Sequence, residues 1–228
     1  MNVMIFAAGL GTRMRPLTET TAKALIPVAG RALLDHALEQ ARAAAPAQIV
    51  VNAHHHAPQV QAHVATTTDV TCLVEPGPVL ETGGGLRNAL PLLGYDPVMT
   101  LNSDAVWTGP AAANTLIAEW DSARMDGLLL LVPLARAHGR NDGGDFAITE
   151  DGALVRDAAG MVYTGAGIVK TDGLADIPDQ VFSLRELWAP MAATGRLHGV
   201  VHSGHWADVG HPAGIAQAET MLLQQAQL

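Results

Sequence analysis

The sequence predicts an α/β fold: one continuous domain on a largely parallel sheet with helices on both faces. Three observations carry this. Strand and helix signals alternate along the first half of the chain. Of the 228 residues, 49% are hydrophobic and 15% charged, enough apolar surface to bury a sizeable core. No low-complexity linker and no internal repeat interrupts the pattern.

Residues 3–7 are a short apolar run ending at glycines, as for a strand buried on both faces. Residues 31–45 carry Leu33, Leu34, Ala37, Leu38 and Ala41 at the spacing of an amphipathic helix. A second strand is read over 48–52, a helix over 56–65 with Val60 and Val64 inward, and a third strand over 71–75. A loop rich in Pro and Gly precedes a helix through Leu86, Leu90 and Leu93; strand 97–101 and helix 111–123 follow. After Leu128 the alternation loosens. Strands are read over 128–133, 145–149 and 161–170, loops over 137–144 and 150–160, and helices over 183–194 and 212–225.

The 13 basic and 22 acidic residues give a net charge of −9, which argues against a nucleic-acid partner but leaves room for a small phosphorylated ligand. Cys72 is the only cysteine, so no intrachain disulfide forms; it reads as a buried, inert thiol. The apolar amino terminus is too short for a signal peptide, and no run reaches the roughly 20 apolar residues of a membrane span. The expectation is a cytoplasmic protein.

The first strand runs into Ala7-Ala8-Gly9-Leu10-Gly11-Thr12-Arg13-Met14-Arg15-Pro16. Glycines directly after a buried strand let backbone N–H groups approach phosphate oxygens. A dinucleotide fingerprint needs a third Gly where Met14 stands, which disfavours an NAD-type oxidoreductase, and no Gly-Lys-Ser/Thr supplies a Walker-type loop. Arg13, Arg15 and Lys23 instead concentrate positive charge beside the loop, as charge neutralisation on a departing pyrophosphate requires. Leu101-Asn102-Ser103-Asp104 ends the fourth strand on the same sheet edge, where ligands of open α/β sheets sit. Mg²⁺ takes one or two such carboxylates and completes its shell with phosphate and water. Asp208, in Gly204-His205-Trp206-Ala207-Asp208-Val209-Gly210 between a strand and the last helix, reads equally as a second metal ligand or as a turn residue.

Residues 6–18 with Lys23, Leu25, Pro27 and Val28 resemble the signature of the sugar-1-phosphate nucleotidyltransferases, although Ala22 stands where that family usually has Pro. The resemblance covers nearly the whole chain. It implies a Rossmann-like three-layer sandwich with a mostly parallel mixed sheet, of nucleotide-diphospho-sugar transferase type. Residues 1–110 would bind nucleotide and residues 111–228 the sugar phosphate. It also implies that Asp104 and Asp208 hold a catalytic Mg²⁺, that Lys23 sits near the nucleophile and α-phosphate, and that Arg13 sits by the leaving pyrophosphate. Ala7, Ala8, Gly9, Gly11 and Thr12 would line the triphosphate. No catalytic His, Ser or Cys is expected.

Leu80-Glu81-Thr82-Gly83-Gly84-Gly85 precedes a helix, and three bare peptide groups suit reading a base edge. In the family the matching segment reads Leu-Gly-Thr-x-Gly and contacts the base, so Glu81, Gly83 and Gly84 are nucleotide candidates. With Ala89 to Gly94 and 204–210, this segment is most similar to the N-acetylmuramic acid-1-phosphate uridylyltransferases of cell-wall recycling. That implies UTP, with guanylyltransferases for mannose or heptose phosphates as near relatives. On the acceptor side the resemblance points to Asn102, to Gly144 in Gly139–Phe146 as a backbone donor, and to Thr164. The family's Glu-Lys-Pro triplet is missing; Val155-Arg156-Asp157-Ala158 stands instead. No β-helix extension is expected, which favours a monomer or small homo-oligomer. A nucleotide-sensing module without turnover is the alternative of another class. Retention of Arg13, Lys23, Asp104 and Asp208 together speaks against it. His54-His55-His56 and His63 read as a polar surface, because successive side chains diverge. His205 and His211, flanking Asp208, are candidates for substrate contact.

Overall fold

The computed structural model describes residues 1–94, 97–140 and 142–225. A central sheet of seven strands is assembled from β1 (Asn2–Phe6), β4 (Ile49–Ala53), β5 (Val70–Val74), β6 (Val98–Asn102), β8 (Gly127–Val132), β12 (Val162–Val169) and β13 (Leu197–Val201). The small hairpin β2 (Pro27–Val28) and β3 (Arg31–Ala32) lies outside it. The order β13-β8-β12-β6-β1-β4-β5 is parallel from β6 to β5. Strand β12 runs antiparallel to both neighbours, β6 and β8, and β13 is parallel to β8. The sheet is therefore mixed and mostly parallel.

Helices cover both faces. Helices α1 (Leu33–Arg42), α2 (Ala57–Val64) and α4 (Ala112–Glu119) pack on the face carrying Val3, Ile5, Val51, Met99 and Leu101. Helices α3 (Glu81–Leu93) and α5 (Leu184–Ala193) pack on the opposite face, against Met4, Val50, Val98 and Leu129. Alternate residues of one strand thus enter separate cores, which is why the strands read as continuous apolar runs. Leu33, Leu34, Ala37, Leu38 and Ala41 are all buried, as the spacing of α1 predicts.

A third core joins α6 (Pro212–Gln225) to the loops at the carboxyl edge of the sheet. Met14 is fully buried there beside Val106, Ala207, Val209, Ala218 and Met221. Burying a whole methionine is worth about 1.5–3 kcal/mol and pins the glycine loop to the molecule. Above the main sheet, β7 (Ala105–Trp107), β14 (Trp206–Asp208) and β9 (Ala137–His138) form a small three-stranded sheet. Strands β10 (Phe146–Ile148) and β11 (Leu154–Arg156) pair as a separate hairpin. The segments expected as loops, 137–144 and 150–160, therefore contain β9 and β11, two and three residues long, too short to show a period. Residue 141 of the first segment lies outside the described residues. Among the described residues no helix is long and apolar enough to cross a membrane.

Candidate active site

The carboxyl ends of β1 and β6 meet at one edge because the strands pair in parallel, with Phe6 beside Asn102. The Ser103 N–H and hydroxyl both donate to the Phe6 carbonyl, the hydroxyl at 2.7 Å, which fixes the turn carrying Asp104. Strand β7 leaves this turn and pairs antiparallel with β14, with Ala105 opposite Asp208. The Val209 N–H donates to the Asp104 carbonyl at 2.8 Å. Two carboxylates 104 residues apart in sequence are thereby set side by side.

The glycine loop closes over them. Gly11 has φ +62°, and a Cβ there would stand 2.8 Å from the Thr18 methyl and 3.1 Å from Lys23 Cβ, so only glycine fits. The Thr18 hydroxyl donates to the Gly11 carbonyl at 2.8 Å. The Gln59 side chain of α2 accepts from Ala22 N–H and donates to the Thr20 carbonyl, each at 2.8 Å, on the approach to Lys23. Lys23 Nζ then reaches Asp104 Oδ2 at 2.6 Å. Arg13 stands by Asp208: a methyl on Gly210 would be 3.0 Å from Asp208 Oδ2 and 3.3 Å from Arg13 Nη1.

Burial, then the neighbouring Asp104 charge, pushes the Asp208 carboxyl up; Lys23, Arg13 and His211 pull it back. Two crowded acids with only partial neutralisation are an environment that a divalent cation relieves. No cluster of three or more His, Cys, Asp and Glu is poised for a metal among the described residues. A pair of carboxylates beside a phosphate-sized space fits Mg²⁺, which is held by few protein ligands and completes its octahedron with phosphate and water.

Three cavities converge on Asp104. The first, about 260 Å³, is lined by Ala7, Gly9, Gly11, Thr12, Arg13 and Lys23 with Ser103 and Gly210. The second, about 290 Å³ and more apolar, is lined by Phe6, Ala8, Asn52, Val79, Glu81, Thr82 and Asn102. The third, about 330 Å³, is lined by Arg13, Asn102, Arg140, Tyr163, Arg185, Trp188, Trp206 and Asp208 among others. Of the sequence-predicted residues, Ala7, Ala8, Gly9, Gly11, Thr12, Arg13, Lys23, Glu81, Asn102, Asp104 and Asp208 line this edge.

Four do not. Gly83 and Gly84 open α3, and both N–H groups donate to the Phe182 carbonyl, so neither N–H is free for a base edge. Their bare Cα atoms instead admit the 180–182 segment: a Cβ would come within 2.4 Å of the Phe182 ring at Gly83 and of the Gln180 carbonyl at Gly84. The Gly144 N–H donates to the Ala158 carbonyl at 2.8 Å, so it is no donor to a sugar. Thr164 is fully buried, donates to the Leu130 carbonyl, and accepts from Trp206 Nε1 at its own carbonyl. Its neighbour Tyr163 faces the third cavity, because adjacent strand residues point to opposite sides.

Residues missed in sequence fill the rest. Asn52 Oδ1 accepts from Ala7 N–H at 2.8 Å and Asn52 Nδ2 donates to Glu75 Oε1. Glu75 is buried and burial pushes its carboxyl up, against the Asn52 hydrogen bond. Arg185 and Trp188 come from α5, and nothing in their periodicity marked them. The histidine run is partly exposed, as a polar surface is, and it also braces the glycine loop: the Nε2 atoms of His55 and His56 lie 3.2 Å from the Thr18 carbonyl. His205 pairs with His138 at 3.0 Å and His211 with Gly139 and Gly214, so both are engaged structurally. Cys72 is half-buried, its thiol pushed up by burial.

The MobA-like NTP transferase domain model matches residues 3–221. The chain belongs to that family of nucleotidyltransferases. It is 42% identical to the N-acetylmuramate alpha-1-phosphate uridylyltransferase of Caulobacter vibrioides, over 97% of this chain and 96% of the relative. The same-named enzyme of Neisseria meningitidis serogroup B is 30% identical over 97% of this chain and 98% of its own length. A putative glucose-1-phosphate thymidylyltransferase from Bacillus anthracis superposes with a TM-score of 0.82 at 17% identity, covering 99% and 95% of the two chains; at that identity it speaks for the fold. This nucleotidyltransferase is thus a sugar-1-phosphate nucleotidyltransferase with the expected α/β architecture.

Proposed function

We propose that this chain transfers the uridylyl group of UTP to N-acetylmuramic acid 1-phosphate with Mg²⁺, releasing pyrophosphate. The observation that carries the reading is the convergence of three differently lined cavities on Asp104. The near full-length likeness to two uridylyltransferases of that name supports the choice of substrates. The glycine-loop cavity takes the triphosphate, with Thr12 and Arg13 at the pyrophosphate end. The cavity of Asn52, Glu81 and Thr82 takes the base, and that of Asn102, Arg140, Tyr163 and Trp188 the sugar. Residues 1–110 are then the nucleotide half and 111–228 the acceptor half of one domain.

An oxygen of the sugar phosphate attacks the α-phosphorus as the bond to the bridging oxygen of pyrophosphate breaks. A phosphate monoester has a second pKa of about 6, so the nucleophile needs no general base at neutral pH. Lys23 neutralises charge between nucleophile and α-phosphate, Arg13 neutralises the leaving group, and Gly9 and Gly11 let the backbone approach it. Asp104 and Asp208 would hold Mg²⁺, which when bound supplies charge neutralisation to the phosphates. The reading sets the protein in the cytoplasm, in cell-wall recycling, as a monomer or small homo-oligomer acting on small phosphorylated molecules rather than nucleic acid.

The test is a matrix of UTP, GTP, dTTP, CTP and ATP against a panel of sugar 1-phosphates, reading pyrophosphate release. UTP with N-acetylmuramic acid 1-phosphate is expected to give the highest kcat/KM. A better rate with another triphosphate or another sugar overturns the corresponding half of the assignment.

A further inference from the structure

We propose that Arg185 binds a carboxylate carried by the acceptor sugar, and so selects an acidic over a neutral sugar 1-phosphate. The inference rests on the reading above that the third cavity holds the acceptor. That cavity is rich in hydrogen-bond donors. Among the described residues, no carboxylate side chain lines it besides the two aspartates at its phosphate end. Its lining includes Arg13, Arg140, Arg185 and the indole of Trp188. A neutral sugar presents hydroxyls, which donate as readily as they accept. Thr82, Asn102, Tyr163 and Ser183 add groups that accept as well as donate, whereas the arginines only donate and suit a ligand bearing a second, acceptor-only group away from its phosphate.

The three arginines are not equivalent. Arg140 gives its charge to Asp145, Nη2 to Oδ1 at 2.7 Å. Arg13 lies against Gly210 and Asp208 at the phosphate end. Arg185 is exposed, and among the described residues its guanidinium makes no ion pair and no hydrogen bond. A planar fork of free N–H donors is the side chain best matched to a carboxylate.

Its surroundings point the same way. Arg185 lies in the first turn of α5, where the helix favours negative charge, and Ser183 caps that turn by accepting from the Arg185 N–H. One turn further on, Trp188 is 6% exposed and its buried Nε1 has no partner; the buried Nε of Arg140 has none either. Both residues line the cavity, but these two nitrogens are buried, which leaves the exposed Arg185 guanidinium as a free donor group on this wall. Arg185 and Trp188 also form the partition to an adjoining cavity of about 210 Å³ lined by Phe146, Leu154 and Arg156. Arg156 is stacked on the Phe146 ring, its guanidinium carbon 4.5 Å from the ring centre.

The test compares N-acetylmuramic acid 1-phosphate with the derivative whose lactyl carboxylate is converted to the carboxamide. Both are titrated calorimetrically into the wild-type enzyme, R185Q and R185K, and both are assayed for turnover with UTP and Mg²⁺. Wild type is expected to favour the acid, and R185Q to lose about 10–100-fold in kcat/KM for it, carried in KM, while the acid-to-amide ratio falls toward one. R185K should recover part of that preference. An R185Q enzyme that keeps the wild-type ratio, or a wild type that binds acid and amide equally or neither, overturns the inference. Tight, Arg185-dependent binding of the acid without turnover overturns the proposed reaction and supports the role of Arg185.

Discussion

Replacing Lys23 by Gln removes the only side-chain cation that hydrogen-bonds Asp104 among the described residues, while keeping a polar side chain one atom shorter. Lys23 and Asp104 side chains are 14% and 27% exposed, so their surroundings are partly but not fully screened by water. A unit charge about 4 Å from a phosphate oxygen contributes roughly 4 kcal/mol at an effective dielectric of about 20. Residual solvent reduces this to about 2–4 kcal/mol, or about 30- to 1,000-fold in rate. Because negative charge moves between the phosphates during transfer, most of the loss should fall on kcat rather than KM. Pyrophosphate release under saturating substrates measures kcat, and a thermal melt checks the fold. A K23Q enzyme within threefold of wild-type kcat, or one whose loss equals its unfolded fraction, would refute the reasoning.

Three further outcomes follow from the same geometry. Gly84→Ala drives a Cβ to within 2.4 Å of the Gln180 carbonyl, whereas a Cβ on Gly9 meets nothing within 4 Å. Chemical denaturation should therefore show G84A losing about 2 kcal/mol or more, and G9A near wild-type stability but with weakened triphosphate binding. Glu81 occupies the left-handed region at φ +59°, a conformation costing about 1 kcal/mol for a residue with a side chain. Glu81→Gly should raise stability by up to about that amount, and an unchanged or lower midpoint would count against the strain. The Arg196 hydrogen bond, opposed by desolvation and reinforced by Lys170, lowers the Asp126 carboxyl from 3.8 to about 2. A depressed carboxylate pKa stabilises the fold above the unfolded pKa and ceases to do so as pH falls through the folded one. At 27% exposure this is worth about 1–2 kcal/mol, so wild type and Asp126→Asn should differ at pH 5 and converge near pH 2 in urea titrations.

Much of the sheet was legible because its strands are apolar on both sides and its helices amphipathic. Expected strands at 3–7, 48–52, 71–75 and 97–101 lie within a residue of Asn2–Phe6, Ile49–Ala53, Val70–Val74 and Val98–Asn102. Strands of two or three residues, such as Ala137–His138 and Leu154–Arg156, carry no period and were read as loops. In the site, the glycine loop, Lys23 and Asp104 were visible because their chemistry follows one strand end. Asp208 depended on the resemblance, since only its pairing opposite Ala105 brings it to Asp104. The glycine triplet misled because sequence shows that backbone is bare and not what approaches it; here it is the 180–182 segment. Arg185 and Trp188 were hidden for the converse reason, sitting in a helix whose cavity-facing side is decided by long-range packing.

The proposed reaction requires Asp104 to anchor a metal-assisted uridylyl transfer. Single-turnover pyrophosphate release, measured across a Mg²⁺ titration with UTP and N-acetylmuramic acid 1-phosphate, tests it most directly in wild type and Asp104→Asn. Wild type should release pyrophosphate in a phase that depends on Mg²⁺ and vanishes with EDTA. The folded D104N enzyme should release it at least 100-fold more slowly, about 2.7 kcal/mol of lost transition-state stabilisation. Mg²⁺-independent release, or a D104N enzyme as fast as wild type, would contradict it.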